Sequence, residues 1–586
     1  MCGIFIVINK KSRPVNIKQC KTGLNNLIQR GPDWSFYKQF DKNIFFGQTI
    51  LSMTGKLQKD ITQHYSFSKN FFLVFNGEIY NYKNLAKEYL NLTVNKNLTD
   101  TKVLSCFFDK IKTENINSFL DGMYAYAVYC KIQNEIIISR DPAGEKILYK
   151  FEDSKEIVIS SEVNAIIKYL KKSELDSEVL KTYFYTRHFS LFNKTIFKNI
   201  EIIEPGAVLS LDLKSYKFKK LSNVSLSNLI NEKDYKKNSK KNENDLAEEL
   251  HYLIKKNLKE MIPSGRKYAS IISGGIDSSL ITGYLAKFFD PDKLVFLNHV
   301  GKDLLTDYIQ DFEKIINFKI SRYDIRLQDY YKNLLKSLKI CNSPIHSHSF
   351  VGQLIISEKV ARKKCRALFG GEGADELFGG YETYRQKIKN YKINNSDYTK
   401  LLETKFLKKN KEFYEFNNKL IKNWKTSLSH YDFIKNKDEQ YRQSMMLMDT
   451  LIQLSSNGLR GSDLMAMNYS VESRSLFLRK DIVKFALNLP IKFKINYDKD
   501  KLMNTKYLLK KVFLKIYPKK LILKKQGFAG FPNETKKFLK NNHYAHVKKL
   551  LKIKNFKRIL STLNKANEWK IINTETYLSK INKVKL

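Results

Sequence analysis

The sequence predicts two domains in tandem: a mixed α+β layered domain, then an α/β domain of strand–loop–helix type with a helical C-terminal part. Three observations carry this. Short apolar runs of strand length recur through residues 1–210, a polar aperiodic tract interrupts the chain at 231–244, and a strand, a glycine-rich turn and a helix follow one another from Tyr268. With 586 residues and 42% hydrophobic content, the chain is long enough for about two to four cores.

The first domain, 2–210, opens with Ile4-Phe5-Ile6-Val7-Ile8. No basic region precedes this run and it stops at Asn9, so it is too short for a signal-peptide core or a membrane span and reads as a buried strand. Further strand-like runs are Phe71 to Phe75, Tyr124 to Tyr129, Ile136 to Ile138 and Ile157 to Ile159, with helical stretches such as Leu24 to Ile28 between them. Residues 211–244 read as a linker, because Asn231 to Asn244 cannot bury enough apolar surface to order itself. The second domain, 245–545, starts at Asp245, placed to cap a helix with Glu248 completing a capping box and Leu246, Leu250, Leu253 and Ile254 repeating at helical spacing. Residues 546–586 form a basic helical extension, with Lys548, Lys549 and Lys552 around Leu550 and Leu551, expected to be a solvated amphipathic helix.

Composition excludes several classes. Six cysteines without a CxxC pair argue for a reducing, cytoplasmic setting and against structural zinc, and His346 and His348 lack further ligands nearby. No run of about 18 apolar residues occurs, so no membrane partner is expected. The formal charge of +45 is spread along the whole chain without a nucleic-acid motif, so no specific nucleic acid is expected either.

Cys2 directly follows the initiator methionine, so loss of Met1 leaves one residue with a thiol and an α-amine, a nucleophile with its own base. Taken alone, the residue also fits a small buried cysteine at a strand start. Asn76-Gly77, read as lying just past the strand that ends at Phe75, offers a side-chain amide and a backbone N–H for an oxyanion. Glu78 and Asp100 supply negative charge for a substrate ammonium, and Arg30-Gly31-Pro32-Asp33 forms a rigid turn nearby. In the second domain, Ser273-Gly274-Gly275-Ile276-Asp277-Ser278-Ser279 lets the backbone approach a diphosphate at a helix N-terminus. It lacks the lysine of the GxxxxGK[ST] loop, which fits retention of a departing pyrophosphate rather than γ-phosphoryl transfer. Asp277 is a candidate Mg2+ ligand. The glycine-rich acidic run Phe369 to Tyr381, with Glu372, Asp375 and Glu376, suits a hard cation and acid/base work, and Lys525 is a candidate phosphate cation.

These motifs, in this order, make the chain resemble the glutamine-hydrolysing asparagine synthetase family over nearly its whole length. The resemblance implies a four-layer αββα N-terminal-nucleophile glutaminase joined to a PP-loop ATP pyrophosphatase domain of the adenine nucleotide α-hydrolase type. By that similarity Cys2 attacks glutamine, Asn76 and Gly77 form the oxyanion hole, and Glu78, Asp100 and Arg30 bind glutamine. ATP contacts fall on Ile272, Ser273, Gly274, Gly275, Asp277, Ser278, Gly370, Gly371 and Lys525, Mg2+ on Asp277 and Asp375, and Glu372 serves the adenylate. The implied reaction activates aspartate with ATP and aminates it to asparagine; another carboxylate, such as a sugar acid of a surface polysaccharide, stays open as acceptor. A non-catalytic scaffold is disfavoured by the intact motifs, and a homodimer stays open. Four departures stand out, one being the family's S-D-x-E, which here reads Thr99-Asp100-Thr101-Lys102. The family's G-H-x-R-L-S-I, whose arginine pairs with the glutamine α-carboxylate, has Ile50 at that position; its D-E-P becomes Asn342-Ser343-Pro344; and its D-R-x-S-M-A becomes Asp463 through Asn468, the last two changes being expected on the acceptor side.

Overall fold

The computed structural model describes residues 2–53, 59–95, 97–186, 193–290, 294–300, 306–386, 411–523, 544–552 and 565–582. Eleven strands build the first domain: β1 Cys2–Asn9, β2 Trp34–Phe40, β3 Ile44–Ile50, β4 Phe71–Ile79, β5 Gly122–Cys130, β6 Glu135–Arg140, β7 Tyr149–Glu152, β8 Glu156–Ser160, β9 Ile200–Ile202, β10 Ala207–Asp212 and β11 Phe218–Asn223. They form two sheets, β2-β3-β1-β8-β7-β9 and β11-β10-β6-β5-β4.

Period-two alternation sets the layers. Ile4, Ile6 and Ile8 of β1 face the second sheet, in one cluster with Phe46, Val74 and Ile138, whereas Phe5 and Val7 pack with Cys20 and Leu24 of the helix Ile17–Asn25. The outer face of the second sheet, with Leu73, Phe75 and Val128, is covered by the helices Tyr82–Leu90 and Asp100–Phe107. The result is the four-layer α-β-β-α arrangement. A strand buried on both faces has no polar side, which is why β1 reads as an unbroken apolar run; each fully buried isoleucine contributes about 1.5–3 kcal/mol.

The domain edge lies later than 210. β10 pairs with β6 and β11, so the first domain runs to Asn223. The supposed linker is also ordered: Asn231 accepts the Asp234 N–H and starts the helix Glu232–Lys240, whose buried Asn238 donates Nδ2 to the Asn488 carbonyl. Partners some 250 positions away stabilise it, and local periodicity carries no trace of them. The next helix, Glu243–Met261, is capped by Asn242, which accepts the N–H groups of Asn244 and Asp245; Asp245 sits in the first turn, not at the cap. Leu246, Leu250 and Ile254 are buried on the expected stripe.

The second domain holds a five-stranded parallel sheet: β12 Tyr268–Ile271, β13 Leu294–Val300, β14 Ile320–Asp324, β15 Ala367–Gly370 and β16 Glu472–Ser475. Their spatial order is β14-β13-β12-β15-β16. Winding runs from β12 outward through β13 and β14, then resumes on the other side with β15 and β16. The topology therefore reverses between β12 and β15, and in such sheets the crevice beyond the carboxyl ends of those two strands is where ligands bind.

The C-terminal stretch is a packed element rather than a solvated extension. Val547, Leu550, Ile571 and Leu578 share a core cluster with Tyr183 and Phe184 of the first domain, while Lys570 Nζ donates to the Phe184 carbonyl at 2.8 Å. His348 is likewise interior, its ring 3.9 Å from Trp569, and burial pushes its pKa down to about 4. Among the described residues no helix is long and apolar enough to cross a membrane, and no group of three or more His, Cys, Asp or Glu is arranged to hold a metal ion.

Candidate active sites

Antiparallel pairing of β1 with β3 sets Cys2 opposite Ile50, and β4 lies on the other sheet behind them. The Cys2 N–H donates to Asn76 Oδ1 at 3.0 Å, so Asn76 fixes the nitrogen that removal of Met1 would turn into an α-amine. Asn76 Nδ2 is buried without a partner among the described residues. A buried amide donor left unpaired is costly, and an oxyanion at this point would satisfy it. Asn76 and Gly77 are within β4, not beyond its end. Gly77 has φ 144°, and a Cβ there would collide with the Met123 carbonyl, so only glycine fits this kinked position.

Glu78 and Asp100 lie close enough to act on each other electrostatically. Asp100 opens the helix after Thr99, accepting the Ile79 N–H at 3.2 Å and the Thr101 N–H at 2.8 Å; burial lifts its pKa to about 6 against the pull of those two bonds. Burial also drives Glu78 upward, opposed by the Arg474 guanidinium and reinforced by Glu472 and Asp100. Arg474, on β16 of the second domain, bonds Glu78 and donates Nε to Glu472 at 2.7 Å. No periodicity marks Arg474, because its partner lies 396 residues away.

Arg30 is not free to bind glutamine. It is 1% exposed, and its three nitrogens donate to the Cys2 carbonyl at 3.1 Å, Glu162 at 3.1 Å and Asp463 at 2.8 Å. Lys146 Nζ meets the other Asp463 oxygen at 3.2 Å. Burial alone would raise the Asp463 pKa, but Arg30 and Lys146 hold it below the usual carboxylate range. This tie fixes the strand that carries Cys2.

The second site lies at the reversal between β12 and β15. Ile272 is buried at the end of β12, and Ser273 and Ser278 fasten the loop, their hydroxyls 2.9 Å apart with the Ser273 N–H on Ser278 Oγ at 3.1 Å. Gly274 takes φ 77°, and Gly275 caps the helix Ile276–Phe288, which begins the turn containing Asp277 and Ser278. After β15, Gly370 and Gly371 lead to Glu372; a Cβ on Gly371 would stand 2.7 Å from Asp277 Cβ, so the loops approach only because glycine is there. Asp277 Oδ2 and Asp375 Oδ1 converge on Lys506 Nζ at 2.5 and 2.8 Å. Two carboxylates meeting at one cationic point suit a hard metal ion completed by phosphate oxygens. Burial opposes the Lys506 charge, yet Asp277 and Asp375 raise its pKa above the ordinary lysine range. Lys525 lies outside the described residues. Lys506 was not singled out by sequence reasoning, since one lysine among 104 basic residues carries no signal.

Glu372 Oε1 accepts from Ser462 Oγ at 2.8 Å, and Oε2 is buried without a partner among the described residues. Ser462 and Asp463 are consecutive on the helix Leu459–Met467, one touching Glu372 and the other Arg30. The segment whose departures were expected on the acceptor side therefore also holds a structural tie between domains, through its retained Asp463. Ser343 is similarly engaged, accepting from Arg460 at 3.0 Å.

Cys2 beside the Asn76 amide, together with a crevice at the reversal of a parallel sheet, fits an amidotransferase that couples two reactions. Residues 1–221 match the glutamine amidotransferase domain and residues 249–575 match asparagine synthase. The chain belongs to the asparagine synthase family. It is 26% identical to asparagine synthetase [glutamine-hydrolyzing] 1 of Bacillus subtilis, over 94% of this chain and 90% of that one. It is 30% identical to putative asparagine synthetase [glutamine-hydrolyzing] 2 of Methanocaldococcus jannaschii, over 65% of this chain and 70% of that one. The solved glutamine phosphoribosylpyrophosphate amidotransferase from B. subtilis aligns with 14% identity and a TM-score of 0.30, covering 56% of this chain and 91% of that one.

Proposed function

We propose that the protein is a glutamine-dependent asparagine synthetase: an N-terminal-nucleophile glutaminase feeding a PP-loop ATP pyrophosphatase site. Cys2 Sγ attacks the glutamine carboxamide carbon, the α-amine takes the thiol proton, and Asn76 Nδ2 with the Gly77 N–H stabilises the oxyanion. Ammonia leaves, and water hydrolyses the γ-glutamyl thioester to glutamate. Glu78 and Asp100 hold the substrate ammonium.

In the second site the Ser273–Ser278 loop, with Ile272, Gly370 and Gly371, holds ATP. The aspartate side-chain carboxylate attacks the α-phosphorus and pyrophosphate departs; ammonia then attacks the acyl carbon and AMP departs. Mg2+ bound at Asp277 and Asp375 would neutralise phosphate charge there. Glu372, with one oxygen held by Ser462, is positioned to serve the adenylate. Six free cysteines agree with a reducing, cytoplasmic setting.

The observation that carries this reading is the orphaned Asn76 amide beside the Cys2 nitrogen. Mass spectrometry of products formed from glutamine, ATP and aspartate tests it, with asparagine, glutamate, AMP and pyrophosphate expected. Turnover of a sugar acid in preference to aspartate would reassign the acceptor.

A further inference from the structure

An amino acid brings a carboxylate as well as an ammonium. Glu78 and Asp100 answer only the ammonium, and the residue opposite Cys2 on β3 is Ile50, which cannot pair with an anion. Four arginines on or against the segments that carry these residues differ in their partners. Arg30 is held by Glu162 and Asp463, Arg474 by Glu78 and Glu472, and Arg366 by Asp33 at 3.0 Å. Arg266 differs. Nη2 lies 3.4 Å from Ser52 Oγ, two residues beyond Ile50, and Nε is buried with no partner among the described residues. Arg474 also keeps one unpartnered nitrogen, Nη1, but beside two carboxylates, whereas Arg266 meets no carboxylate among the described residues. It enters from the segment just before β12, so the second domain supplies it.

The loop that it meets is fixed in place. The Ser52 N–H donates to Asp33 Oδ2 at 2.9 Å, and the other oxygen of Asp33 is held by Arg366. Ser52 thus presents its hydroxyl to Arg266 from a pinned backbone. A guanidinium has a planar fork that matches a carboxylate, and a partly buried one without an anion is a costly arrangement that a carboxylate ligand relieves.

We propose that Arg266 binds the α-carboxylate of glutamine in the Cys2 pocket, taking over from the second domain the role that position 50 does not fill. The inference rests on the glutaminase reading of Cys2. It also makes glutamine binding depend on the domain seam, because the ammonium and carboxylate ends of the substrate are then read by different domains.

Steady-state ammonia release by the full chain tests this with two compounds: L-glutamine, and 4-aminobutanamide, which lacks only the α-carboxylate and is read as a substrate or as a competitive inhibitor. Arg266→Ala is expected to raise KM for glutamine about 10- to 150-fold, the loss of a charged hydrogen bond, while KM or Ki for 4-aminobutanamide stays within about twofold. Equal shifts for both compounds, or none for either, would overturn the proposal. Should Arg266→Ala fail to fold, Arg266→Lys takes its place: keeping the charge but not the fork, it should raise the glutamine KM alone, and a parallel shift for 4-aminobutanamide counts against the proposal. Wild-type protein that releases no ammonia from glutamine would instead remove the glutaminase reading itself.

Discussion

Arg30 in the first domain and Asp463 in the second are joined at 2.8 Å, with side chains 1% and 2% exposed. Arg30 also donates to the Cys2 carbonyl, and Ser462, next to Asp463, donates to Glu372. Arg30, Asp463 and Ser462 therefore connect the Cys2 backbone to Glu372 in the acidic loop of the other domain.

Breaking this tie should be expensive. Asp463→Ala leaves Lys146 buried without its carboxylate and Arg30 with Glu162 alone, and removing one partner of a buried pair costs about 3–5 kcal/mol. Calorimetry should show a lower melting temperature, and glutamine-dependent synthesis should fall further than ammonia-dependent synthesis. Equal loss of both activities would deny the link a part in coupling.

Cys2→Ala should abolish glutamine-dependent synthesis and leave ammonia-dependent synthesis, since external ammonia reaches the second site without the first. Two parallel assays decide it, and residual glutamine turnover would count against the nucleophile assignment. Mass determination of the mature chain should find Met1 removed.

Glutamine hydrolysis should weaken in mild acid. Asp100 must be charged to hold an ammonium, and its pKa of about 6 means that kcat/KM for glutamine declines as pH falls through 6. Stability runs the other way: because the folded value lies above the ordinary 3.8, the carboxyl contributes stability that is complete below pH 3.8 and lost as pH rises through about 6. Asp100→Asn should remove that limb of the pH–rate profile and raise KM; an unchanged limb would assign the titration elsewhere.

Asp277→Asn and Asp375→Asn should each raise the Mg2+ concentration needed for ATP use, because a hard cation prefers carboxylate oxygens. Both also remove a partner of Lys506, so the melting temperature without nucleotide should drop as well. Products analysed by chromatography should be AMP and pyrophosphate; stoichiometric ADP would reject adenylate formation.

Much of the first domain was legible in the chain. Strand β1 declared itself through five consecutive apolar residues, and Asn76, Gly77, Glu78 and Asp100 stand out as candidates by residue type alone. The glycine-rich loop and the acidic run meet beyond β12 and β15, where a side chain on Gly371 would collide with Asp277 and close approach of the two loops demands glycine. These are local requirements, written within a few residues of the group that they serve. What the tertiary structure decided is who pairs with whom. Arg30, predicted as a ligand, is instead the anchor of Asp463; Arg474 and Lys506 emerged only when β16 and the segment before the helix Tyr507–Leu514 were seen beside their carboxylates; and the polar stretch 231–244 folds because Asn488 receives it. A charge finds its partner through long-range packing, and in a chain with 104 basic residues and 59 acidic ones no local pattern says which two will meet.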